Sequence, residues 1–105
     1  MRKKRLAVKE ALREARARTA RMVREGWFAL DLAVREERLF SESIREQARS
    51  ALDVATSGYE AGNVAFADVI SSYTGWLEAS LGLARRRSDI GVAEAELARI
   101  VGRDL

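Results

Sequence analysis

The side chains in this sequence that can do chemistry are carboxylates, guanidiniums, amines, hydroxyls and phenols. It has neither His nor Cys, which removes the commonest general base, the commonest transition-metal ligand and any thiolate nucleophile. Tyr59 and Asp68 stand out by position, flanking the short run Ala61-Gly62-Asn63-Val64. Around them, residues 51–84 carry Asp53, Glu60, Asp68 and Glu78 and no Lys or Arg, a net charge of −4. Residues 1–24 are the opposite, with ten Lys or Arg against Glu10 and Glu14, a net of +8. Such poles attract cations or oppositely charged partners, or form solvated faces. No catalytic residue, cofactor or metal site is predicted. The chain reads as a non-enzyme.

The elements that position these groups are two long helices. The pattern predicts a first arm over residues 3–57, a tip over 58–64 and a second arm over 65–102. Gly62 and Asn63 tolerate the positive φ of a chain reversal. Gly58 is expected at the C′ position closing the first helix, and Asn63 as a cap for the second. One apolar stripe on the first arm runs Val8, Leu12, Ala15, Thr19, Val23, Trp27, Leu30 and Val34, and resumes at Ile44, Ala48, Ala51 and Ala55. Between them the register holds Glu37 and Ser41, and the apolar positions slip to Leu39 and Phe40. That marks a change of packing partner or a stutter. A second stripe contains Met22, Phe28, Leu32, Leu39, Leu52 and Val54. The second arm is also apolar on more than one seam, from Phe66 to Val101. Two apolar faces per helix call for more than one neighbour, so self-association is expected.

Trp27, Phe28, Tyr73 and Trp76 read as packing residues. Gly75, Gly82 and Gly91 each cost about 1 kcal/mol of helix propensity, and close helix approach would offset that. Gly102 reads as a helix stop, with 103–105 fraying. Arg85-Arg86-Arg87 spans three helix faces, which favours partial burial of the stems over one binding patch. The basic residues near the N-terminus scatter around their helix and interleave with an apolar seam, so no nucleic-acid partner is predicted.

With 105 residues, 48% of them hydrophobic, and no Pro, the expectation is one all-α domain, a long antiparallel two-helix coiled-coil hairpin. No apolar run approaches the roughly 20 residues of a membrane span. Met1-Arg2-Lys3-Lys4-Arg5 is followed at once by Lys9, Glu10, Arg13 and Glu14, so no export signal is expected in this chain.

The segment from Ala51 to Gly102 resembles the outer-membrane efflux protein family, the TolC-like ducts of Gram-negative export pumps. The likeness is carried by Tyr59, by Gly62 three residues on, by Ala67-Asp68-Val69-Ile70, by the small-residue and Leu stretch from Ala79 to Ala95, and by Leu97 with Gly102. Val8-Lys9-Glu10-Ala11 and the run to Ser57 match more loosely. The resemblance implies the helical hairpin of the family's C-terminal repeat, a fragment of the periplasmic α-barrel of a homotrimeric duct at the outer membrane. It implies Tyr59 and Asp68 at the pore entrance. Ala61, Gly62, Asn63 and Val64 would be the contact for a periplasmic adaptor (membrane fusion) protein, itself bound to an inner-membrane pump. The chain departs from the best-known members in having Val64 and Ser71 where they carry a basic and a second acidic residue. The alternative is a stand-alone coiled-coil hairpin acting as an interaction or assembly module. Asp68 is also accounted for by the helix dipole alone, and Tyr59 by resting on Phe66.

Overall fold

A computed structural model of the protein describes residues 2–103. It is an antiparallel helical hairpin, 89 × 18 × 18 Å. Helix α1, Arg2–Leu39, passes through a π-helical turn, Phe40–Ile44, directly into α2, Arg45–Glu60; the chain reverses over residues 61–65 and returns as α3, Phe66–Arg103. No strand occurs among the described residues. Ala, Leu, Arg and Glu dominate the arms, and the absence of Pro leaves nothing to break them.

The seam explains the pairing. On α3 the covered residues include Val69, Ser72, Trp76, Ala79, Leu83, Arg86, Ile90, Ala93, Leu97 and Ile100, an unbroken alternation of three and four that is the coiled-coil repeat; Gly75, Ser80, Gly82 and Asp89 flank this row and are half-buried beside it. On the first arm the matching row is Gly26, Leu30, Ala33, Glu37 and Phe40, then Ile44, Ala48, Leu52 and Ala55. From Phe40 to Leu52 three successive spacings of four replace the expected alternation, one residue too many for the repeat. The π-helical turn lies there, widening one turn to absorb the extra residue. Of the two readings of the break near Glu37–Ser41, a change of packing partner or a stutter, the turn at Phe40–Ile44 realises the second. Full burial among the described residues is confined to Ala33, Ala55, Ala79, Leu83 and Ile100, as expected where two helices share a single line of contact.

Several sequence expectations are corrected. The first helix runs through Gly58 to Glu60, and Gly62, at φ 79°, occupies the left-handed position instead. Asn63 lies three residues before α3 and does not cap it. Trp27 is off the seam and exposed, while Met22 and Leu52, assigned to the outer stripe, are half-buried at it. Of the three mid-helix glycines on α3, only Gly82 is closely approached: a methyl there would collide with the Phe40 ring, whereas one at Gly75 or Gly91 would meet nothing. Helix α3 continues through Gly102 to Arg103; Asp104 and Leu105, expected to fray, lie outside the described residues.

The arms differ in length. At 1.5 Å per residue the first spans about 88 Å and α3 about 57 Å. Val8, Leu12 and Ala15 therefore continue the α1 seam past the last described turn of α3, where nothing covers them; residues 2–18 are exposed throughout.

Candidate functional site

The tip is held by its own backbone. The Asn63 N–H donates to the Gly58 carbonyl at 2.8 Å and the Gly62 N–H to the Tyr59 carbonyl at 3.0 Å. These are the two bonds of a Schellman closure, with Gly62 in the left-handed position such a closure requires. The Val64 N–H also reaches the Gly58 carbonyl, at 3.2 Å, and the Val64 side chain fills the space a Cβ at Gly58 would occupy. Gly58 thus has a packing role in place of the expected terminating one. The tip needs both glycines, one for backbone conformation and one for room.

This closure sets out the six residues singled out by sequence. Ala61, Gly62 and Asn63 are exposed at the apex, and Val64 is half-buried beneath it. Tyr59 and Phe66 face each other across the base of the reversal, ring centroids 5.4 Å apart and tilted by 55°. Both rings stay about half exposed, at 47% and 57%, so the pair staples the tip without being enclosed. Asp68 is exposed in the first turn of α3, where the helix dipole favours a carboxylate by about 0.3–1 kcal/mol. Asp53, Glu60 and Glu78 are likewise exposed. No group of three or more carboxylates able to hold a metal ion occurs among the described residues. The acidic tip is a diffuse field and not a chelating cluster.

Below the tip, α3 exposes Phe66, Ile70, Tyr73, Leu77 and Leu81. Spacings of four, three, four and four keep them on one face, about 22 Å long. Tyr73 leans on Trp76, with ring centroids 6.1 Å apart, so the row is braced from the seam side. Scattered exposed apolar residues need no explanation; a contiguous row on a helix face marks a contact surface.

A second constellation, missed in the sequence reading, sits beside the π-helical turn. Arg86 occupies a seam position. Its guanidinium lies 5.2 Å from the Phe40 ring centroid, 3.6 Å from Glu36 and 3.1 Å from Asp89. Arg87 pairs with Glu37 across the helices at 3.3 Å. Partial burial of the Arg86 stem agrees with the reading of the Arg85–Arg87 run; Arg85 and Arg87 are exposed. A charged residue at one seam position fixes register, because any slip strands it from its partners. The signal was available in the spacing: Glu37 and Arg87 are each 25 residues from Gly62.

No helix among the described residues is long and apolar enough to cross a membrane. No protein-family model matches the chain. Comparison with curated proteins gives no significant match, and comparison with solved structures gives none.

Proposed function

We infer that the chain is a passive helix-packing module that works through its tip and the apolar row beneath it, as the periplasmic tunnel hairpin of an outer-membrane efflux duct would. The row Phe66, Ile70, Tyr73, Leu77 and Leu81 is the single observation that carries this. It leads away from a rigid, acidic tip on a face that the partner arm leaves uncovered. In a duct, neighbouring hairpins would cover that row, Tyr59 and Asp68 would face the entrance, and Ala61 to Val64 would meet the adaptor. The protein would then reside in the periplasm as part of a trimer at the outer membrane. None of these roles requires bond making or breaking.

A second reading, a stand-alone interaction hairpin, draws support from the tip, whose backbone bonds and aromatic pair close within this one chain. The two separate on one experiment: titration of the chain with the isolated α-helical hairpin of a periplasmic adaptor protein. The duct reading expects binding tighter than about 1 mM that is lost in Asn63→Trp, which adds bulk at the apex without touching the seam. A folded chain showing no binding at that concentration contradicts the duct reading and leaves the stand-alone one.

A further inference from the structure

Each arm carries an outer row on the side facing away from the seam, in step with the seam's own repeat. On α3 the tip half of that row is large, with Ile70, Leu77 and Leu81 around Thr74. The other half is small: Ala84, Ser88, Gly91, Ala95 and Ala98. Spacings of four and three alternate throughout, and every one of these positions is exposed. On the first arm the order is reversed. Phe28, Leu32 and Leu39 stand out on α1, 71%, 57% and 53% exposed, with Arg35 among them. At and beyond the π-helical turn the same row continues as Ser43, Gln47, Ser50, Val54 and Ser57.

Within one hairpin Gly26 lies against Leu97, Phe40 against Gly82 and Glu37 pairs with Arg87. By the same pairing Leu39 is level with Ala84, Leu32 with Gly91 and Phe28 with Ala95, while Leu81 and Leu77 are level with Ser43 and Gln47. Gly91 carries the most weight. A Cβ there would meet nothing within 4 Å, so the helix propensity this glycine forfeits has no return inside the chain. Gly75 is as uncrowded, but it is half-buried beside the seam. A notch on one outer face, level with an exposed leucine on the opposite face of the rod, fits that leucine from another copy.

We propose that copies of this chain pack side by side with their tips pointing the same way, the outer row of α3 in one against the outer row of α1 and α2 in the next. Leu32 enters the notch at Gly91, and Phe28 and Leu39 lie over Ala95 and Ala84. Arg35 falls level with Ser88, where its stem lies flat and its head, paired with Asp31 at 2.9 Å, stays in solvent. Reversing one copy would set large residues against large ones, Leu77 and Leu81 against Phe28 and Leu32. The two rows lie on opposite sides of the rod, so two copies cannot satisfy both, and association continues until a ring closes. The inference rests on the helix-packing role proposed above and names the partner of that surface. It uses positions between 28 and 98, where both arms are present.

The test is sedimentation equilibrium of the full chain with two variants. Gly91→Leu fills the notch; Gly91→Leu combined with Leu32→Ala exchanges the sizes across the contact. The wild-type chain is expected to associate beyond a dimer. Gly91→Leu should raise the dissociation constant about tenfold or more, because the neighbour's Leu32 no longer fits. The exchanged variant should regain most of the loss. Circular dichroism at dilution separates this from misfolding: Gly91→Leu should keep its helix content and melt no lower than the wild type, since its side chain meets open space within its own chain.

A spin label at Asn63→Cys, unambiguous in a chain without Cys, reads the orientation. Parallel packing puts neighbouring tips about 18 Å apart, the width of one rod, and strong dipolar coupling is expected; antiparallel packing separates them by most of its 89 Å length. A folded wild-type chain that stays monomeric at about 100 µM, association that stops at a dimer, Gly91→Leu associating as the wild type does, an exchanged variant no better than Gly91→Leu, or uncoupled tips would each overturn the proposal. Adaptor binding by a chain that stays monomeric would overturn it and leave the duct reading standing. A closed ring that binds no adaptor hairpin would support it and count against the duct.

Discussion

The two ends of this rod are closed in opposite ways. At the tip, a Schellman pair of backbone bonds, a left-handed glycine and an aromatic staple finish the structure within nine residues, Gly58 to Phe66. At the other end, the seam of α1 continues for several turns with nothing opposite. The tip is satisfied locally, so its shape belongs to this chain. The open end is patterned like a core and exposed like a surface, so its pattern makes sense only with another helix present. The same alternation of three and four thus stabilises the fold where a helix faces it and contributes almost nothing where none does.

The strongest way to break that contrast is to move the seam. Deleting Ala29 from α1, outside the stretch that holds the surplus residue, rotates everything N-terminal to it by about 100° relative to α3. The loss should be several kcal/mol, a large part of the roughly 5–15 kcal/mol of a small domain. Deleting Glu42, in the π-helical turn, should instead convert that turn to regular α-helix and keep both halves of the seam in register. Chemical denaturation compares the two; equal losses would mean that the turn is not an absorbed insertion.

Single side chains come next. Leu83→Ala empties the best-covered seam position and should cost about 2–4 kcal/mol. Leu12→Ala, in the same register on the overhang, should cost under about 0.5 kcal/mol when measured at dilution. The glycines sharpen the comparison further. Gly62→Ala forces a Cβ into the left-handed region and should cost about 1 kcal/mol. Gly91→Ala meets nothing and should gain up to about 1 kcal/mol of helix propensity. Also small, a double-mutant cycle on Glu37 and Arg87 should give a coupling of about 0.2–1 kcal/mol, the usual size for a solvent-accessible pair. Thermal or urea melts of the four chains measure it.

Much of this architecture was legible in the sequence because its signals are local or periodic. Gly62 with Asn63 announced the reversal, and a break in the stripe between Glu37 and Ser41 located the π-helical turn. What failed depended on three-dimensional neighbours. Gly58 and Gly62 both suit a helix end, and only the position of Val64 shows that one makes room while the other turns the chain. Trp27 fits the stripe by spacing, yet helix twist carries it off the seam. Gly75, Gly82 and Gly91 look alike in the sequence, and only the Phe40 ring separates Gly82 from the rest. The Arg86 cluster required pairing residues equidistant from the tip, a step that follows once Gly62 is taken as the fold point. At the candidate site, the exposed tip residues were legible; their role in contact with a partner is a matter of chemistry outside the hairpin.

Hydrogen exchange resolved by residue tests the contrast between the ends most directly. Below the association range, residues 26–58 and 69–100 should exchange slowly as one cooperative body, and residues 2–18 close to the rate of an isolated helix. An overhang as protected at dilution as the body, or a body that exchanges as freely as the overhang, would contradict the account.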